Sequence, residues 1–244
     1  CRQGQYHVFQ ENLIKKHKIK NFAILTSHDE KSFNEFGNKF FVVVWVSIIA
    51  SECMTDIRRV INVIAKDKKT AIKIFDKEYE KLLASIEKGS ISNIFKTIRS
   101  VSKELSNIDL TMPLEEAKVI SLVGEVYVRR EEFSKLNLIE TLEKNGFIVL
   151  STPPSEFIYY CNYLTKKRLN RPANTFGDIL KTNLTDFIER DIEKRVKRHF
   201  EKTGLLHYSL IDIEKTIMHS KHLLSEELLG EAILTVGISL REII

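Results

Sequence analysis

The stretch Gly124-Glu125-Val126-Tyr127-Val128-Arg129 gathers a turn-permitting glycine, a carboxylate, a phenol and a guanidinium. It follows residues 118–123 (KVISLV), which read as a buried strand. Ligands of open α/β sheets sit beyond the C-terminal ends of the strands. Gly124, Glu125, Tyr127 and Arg129 are therefore candidates for a ligand-facing loop. The other reading of the same residue types is a structural ion pair between Glu125 and an arginine.

The cysteines are the second source of chemistry. Cys1 opens the polar stretch Cys1-Arg2-Gln3-Gly4-Gln5-Tyr6. A glycine-containing loop at a helix start stabilises a thiolate, and a thiolate can bind iron or zinc. Cys53 and Cys161 lie in apolar surroundings (IIASECMTDI and FIYYCNYL) and read as small core residues. Three widely spaced cysteines make no disulfide framework, so a reducing, cytoplasmic setting is expected. No C-x-x-C pair or Cys/His cluster offers a zinc site, and His219 with His222 lacks an evident third ligand. The G-x-G-x-x-G and Walker signatures are absent, as is a nucleophile elbow. His199 and His207, like His219 and His222, read as surface residues.

The elements that must position these residues are mostly helical. Nine glycines and four prolines in 244 residues are under half of the roughly 12% usual for the two together, which argues against a many-turned β fold. Residues 5–18 read as a helix ending in Lys15, Lys16, His17 and Lys18, and 21–27 as a short strand followed by a polar loop over 28–39. The run Phe40–Ala50 is too short by itself to span a bilayer, and a helix is expected from about Val43. A single apolar stripe runs from Ile57 to Ile86 and stops at Gly89, with a further helix over 91–105. Then come the strand 118–123, a helix 135–144 capped by Ser134 and stopped by Asn145-Gly146, the strand 147–150, and a helix opened by Pro153-Pro154. That order is a βαβ unit with parallel strands. After Pro172 the chain reads as helical, with a Ser209/Asp212 capping box for 210–220 and a last helix over 225–242.

The expected architecture is α/β and helix-dominated overall: a Rossmann-like parallel-sheet region with a large helical insertion and a helical C-terminal part. Its divisions are 1–41, an N-terminal α/β piece of a split domain; 42–112, the helical insertion; 113–165, the βαβ region; and 166–244, the helical C-terminal region. The net charge of +5 is mild and both signs are mixed. The most basic stretches, Lys166 to Arg171 and Arg190 to Arg198, read as solvated, ion-paired helix faces, and no nucleic-acid partner is expected. Residue 1 is not Met, and the chain reads as a piece of a longer protein.

Three stretches carry a family resemblance. Residues 1–6 resemble the motif G-P-C-R-x-G-Q-Y. Residues 123–147 (VGEVYVRREEFSKLNLIETLEKNGF) resemble V-G-E-I/V-Y-V-R…N-x-x-L/I…L-E-x-x-G. Residues 230–237 (GEAILTVG) resemble G-E-A-x-L-T-x-G. All three occur in this order in the activase-related, CoA-linked branch of the 2-hydroxyacyl-CoA dehydratase/benzoyl-CoA reductase superfamily, and the resemblance covers nearly the whole chain. It implies a Rossmann-like region with a helical insertion and an iron–sulfur cluster, 4Fe–4S or double-cubane, for low-potential electron transfer. Cys1 would be a cluster ligand in the full-length protein only. The family's next such cysteine follows the third motif, where this chain has already stopped. An ATP-dependent activator or a dehydratase subunit is the implied partner and acyl-CoA the implied ligand, with Glu125, Tyr127 and Arg129 lining the adjoining loop. Lys135 stands where the family often has Asn. The chemistry is coherent: one-electron reduction of a 2-hydroxyacyl thioester makes its β-proton labile, and a low-potential cluster can deliver the electron.

Overall fold

A computed structural model describes residues 2–22, 37–169 and 175–243. The chain divides into two units, Cys1–Val44 and Trp45–Ile244. In the first, helix α1 (Arg2–Lys16) carries Lys15 and Lys16 in its last turn, where cations meet the negative end of the helix dipole. Cys1 and the expected strand 21–27, from residue 23 on, lie outside the described residues.

Helix α2 (Gly37–Ile64) starts six residues before the expected Val43 and absorbs the whole β-branched run. Tertiary burial overrides strand propensity here, because its residues in the second unit form the core: Trp45, Val46, Ile49, Met54, Ile57 and Ile61 are at most 2% exposed. The helix is long and apolar enough to cross a membrane, with a window of mean hydropathy 1.8, so the run Phe40–Ala50 belongs to a longer apolar segment than its own length suggests. It is the one such helix among the described residues, and a buried core helix passes the same test. Trp45 shows how it is held. Its indole N–H donates to the Glu189 carbonyl at 2.9 Å, and its ring meets Tyr159 edge-on at 5.6 Å.

The apolar stripe expected to run unbroken from Ile57 to Ile86 is two helices. Asp67 ends the continuity: its carboxylate accepts from the Thr70 N–H and caps α3 (Lys68–Glu87). Ala65 and Lys66 instead bond across to Leu110 and Asp109 in an isolated antiparallel bridge, out of helix. Helix α4 (Ile91–Leu105) occupies its expected residues, with Ile94, Ile98, Val101 and Leu105 buried at helical spacing.

Strands β1 (Lys118–Leu122) and β2 (Phe147–Ser151) pair in parallel, Lys118 opposite Phe147 and Leu122 opposite Ser151. Between them run α5 (Val126–Arg130), α6 (Glu132–Lys135) and α7 (Leu138–Lys144). The parallel βαβ order is therefore present, as a two-stranded sheet within a helix-dominated fold. β1 is not buried: Val119 is 41% exposed, whereas Ile148 and Val149 of β2 are at most 1% exposed. Ser134 does not cap the crossover helix. Its N–H donates to Glu131, which caps α6, and Asn137 precedes α7. Asn145-Gly146 does end α7, with Gly146 at φ +82°.

Helix α8 (Pro154–Lys166) opens on proline as expected. α9 (Phe176–Glu201) begins with a Thr175/Asp178 capping box. α10 (Ile213–Ser220) is capped by Asp212 alone, while the Ser209 carbonyl accepts from Lys197. α11 (Ala232–Ile243) is shorter than the expected 225–242 because Gly230, at φ +120°, holds the chain out of helix. The basic stretches are ion-paired, Lys166 and Arg190 to Asp186, Arg195 to Asp191 and Lys197 to Glu193.

Candidate functional site

Gly124 leaves β1 at φ +132°, a conformation that side chains other than glycine's rarely adopt. The turn it makes starts α5. Glu125 is exposed, and its carboxylate accepts from the Val128 N–H at 2.8 Å as the cap of α5. It forms no ion pair with an arginine among the described residues. Tyr127 is 66% exposed. Arg129 turns inward, is 5% exposed, and donates to the carbonyls of Gly124 and Thr152. Those two carbonyls follow the ends of β1 and β2, so the guanidinium ties the two strand ends together.

The carboxylate that answers Arg129 comes from the third motif. Glu231 lies 3.4 Å from Arg129 Nη1 and accepts from the Val126 N–H at 2.8 Å. It thereby satisfies both the buried cation and an orphan N–H at the start of α5. Farther along, Gly237 lets α11 pass directly over α10. A Cβ there would run into the Thr216 carbonyl and sit 2.9 Å from Thr216 Cγ2. Gly230, Glu231 and Gly237 each have a geometric task.

Beside this knot a cavity of about 690 Å³ opens at the strand ends, within the volume range of small-molecule sites. Its lining includes Glu52 and Asp56 of α2, Thr152, Glu156 of α8, Lys197 of α9 and Arg241 of α11. Glu52 accepts from both the N–H and the hydroxyl of Ser155 at 2.7 Å, an acid held at a helix N-terminus. Burial nevertheless raises its pKa. Glu156 is 4% exposed, and its carboxylate makes no hydrogen bond among the described residues. Burial pushes its pKa up to about 7, against the pull of Arg129 and Arg241. Burial likewise pushes Asp56 to about 7, against Arg130. The arrangement can hold and release protons near neutrality in a partly dry cleft.

The thiols do not share this chemistry. Cys53 is buried and its thiol is raised well above the usual range by burial; Cys161 is also raised by burial. Among the described residues no group of three or more His, Cys, Asp and Glu is placed to hold a metal ion. Cys53 and Cys161 stand in no such group, so they do not supply the several thiolates that hold an iron–sulfur cluster.

No protein-family model, curated protein or solved structure matches this chain.

The structure brings Gly124 and Arg129 of the expected loop to the strand ends, and points Glu125 and Tyr127 outward. Sequence reasoning missed Glu52, Asp56, Glu156 and Glu231. A signal for the first two was present: the only two acids of α2 lie four residues apart, on one face of a helix rich in apolar residues. Nothing local marks Glu156, whose surroundings come from distant segments.

Proposed function

We propose that this chain is a domain of an iron–sulfur, activase-related acyl-CoA dehydratase- or reductase-like protein. It takes part in low-potential electron transfer to a CoA thioester or a partner protein and is catalytically inert as a separate piece. The reading is supported by the contact of Arg129 with Glu231. These residues belong to two of the motif stretches, 123–147 and 230–237. Two stretches that build one site would meet in this way.

On this reading β1 and β2 belong to a Rossmann-like sheet, and the cavity beyond their ends faces the thioester or the partner. The partner is an ATP-dependent activator or a dehydratase subunit, and the setting is the cytoplasm. Cys1 is a cluster ligand in the full-length protein. The described residues supply positioning through Arg129 and Glu231 and proton-holding carboxyls through Asp56 and Glu156.

The test is anaerobic purification of the full-length protein, iron and sulfide analysis, and EPR after dithionite. Roughly four or more irons per chain, lost in Cys1→Ala, is the expected result. Absence of iron would overturn it and favour a second reading, a non-catalytic docking domain for the activator or dehydratase. That reading draws on exposed apolar side chains close to the loop: Tyr127 at 66%, Phe133 at 84% and Leu136 at 76%.

A further inference from the structure

A second, smaller cavity of about 180 Å³ lies against β2, α2 and the α5–α6 segment. Its lining carries Arg59, Arg129, Arg130 and Lys135 against Asp56 and Glu132. Three of the cations have a carboxylate partner: Arg59 pairs with Glu143 at 3.2 Å, Arg129 with Glu231, and Lys135 with Glu132 at 2.6 Å. Arg130 has none among the described residues. Its guanidinium has five N–H donors and, among the described residues, makes one long hydrogen bond, to the Thr152 carbonyl at 3.4 Å. Its Nε is buried with no hydrogen-bond partner among them. Glu52 and Asp56 act on it only from beyond ion-pair distance, so a cation this poorly hydrogen-bonded, next to three others, has donors free for an anion.

We propose that this cavity is a binding site for a tetrahedral oxyanion, phosphate or the terminal phosphoryl group of a larger ligand, with Arg130 as its principal anchor. The size agrees. At roughly 30 Å³ per water the space holds about six waters, which suits one oxyanion with some hydration. It is below the ~300 Å³ at which whole-ligand pockets begin. The chemistry agrees as well, since a guanidinium fork matches phosphate oxygens in a bidentate way. Three carboxyls stand near enough to oppose the anion: Glu132 is already paired with Lys135, and burial raises both Asp56, to about 7, and Glu52 toward their neutral forms. Lys135 is 9% exposed, placed at the edge of the same space. The site stands on its own lining and does not depend on the acyl-CoA reading.

The test is isothermal titration of the full chain with inorganic phosphate, and separately with sulfate, at low ionic strength and pH 6, below the raised value of Asp56. Saturable binding is expected, weakened about 10- to 100-fold in Arg130→Gln, the size of one lost charge-assisted hydrogen-bond set. Lys135→Gln should weaken it too. This second variant keeps the test alive should Arg130→Gln fold poorly, with circular dichroism as the check. No saturable binding, or binding unchanged in both variants, overturns the proposal. Competition by CoA and by dephospho-CoA then separates the sources. Displacement assigns the site to a phosphoryl group of a larger ligand. Phosphate binding without competition assigns it to a free oxyanion, and counts against acyl-CoA at this cavity while leaving the oxyanion site intact.

Discussion

Arg129 and Glu231 stand 102 residues apart in the chain and meet at 3.4 Å, with the Arg129 side chain 4% and the Glu231 side chain 14% exposed. One carboxylate thus holds the start of α5, and one guanidinium holds the carbonyls at both strand ends. Removing either partner leaves the other charge buried. Arg129→Met is expected to lower the unfolding free energy by about 3–5 kcal/mol. Glu231→Gln, which keeps an acceptor for the Val126 N–H, should cost about 1–3 kcal/mol. Urea denaturation measures both. Changes below about 1 kcal/mol in both variants would mean that the pair behaves as a solvated surface bridge.

Gly237 and Gly177 should respond to alanine with opposite signs. At Gly237 a methyl group collides with the backbone of Thr216, so Gly237→Ala should destabilise by about 1–3 kcal/mol. At Gly177, in the first turn of α9, a Cβ would find only Thr175 Oγ1 at an ordinary 3.6 Å. There the gain in helix propensity should stabilise by about 0.5–1 kcal/mol. Thermal melts of the two variants side by side would reveal a shared sign if the close approach of α10 and α11 were wrong.

The buried carboxyl of Glu156 should give the protein a pH signature. Its ordinary value of 4.5 is raised to about 7 by burial. Between these values the unfolded chain has released the proton and the folded chain retains it. Its contribution to stability is therefore full below pH 4.5 and is lost as the pH rises toward about 7. Glu156→Gln removes this dependence. Relative to the unmodified protein, the variant should gain about 1–3 kcal/mol between pH 4.5 and pH 8. Denaturation at both pH values checks the difference, and an unchanged gap would place the carboxyl in water.

The two described cysteines should react at different rates in the folded protein. Cys53 is buried and Cys161 half-buried, and burial raises both thiols. Titration with a chromogenic disulfide at pH 8 should leave Cys53 unmodified within minutes and modify Cys161 slowly, with both reacting at once in denaturant. Rapid native labelling of Cys53 would contradict its packing in α2.

The sequence by itself determined the local elements. The periodic burial of Ile94, Ile98, Val101 and Leu105 marks α4, Asn145-Gly146 ends α7, and Pro154 opens α8, because each is a matter of side-chain spacing or backbone preference within a few residues. The parallel order of β1 and β2 was legible for the same reason, since a crossover of this length leaves little choice. Only the tertiary structure decided which groups meet. Asp67 breaks an apparently continuous stripe because Ala65 and Lys66 find partners at Leu110 and Asp109. Arg129 pairs with Glu231 while Glu125, four residues away, caps its own helix. Glu52, Asp56 and Glu156 acquire shifted proton affinities because segments distant in the chain exclude water around them. Desolvation and long-range pairing depend on which surfaces are brought together, and no local spacing encodes that.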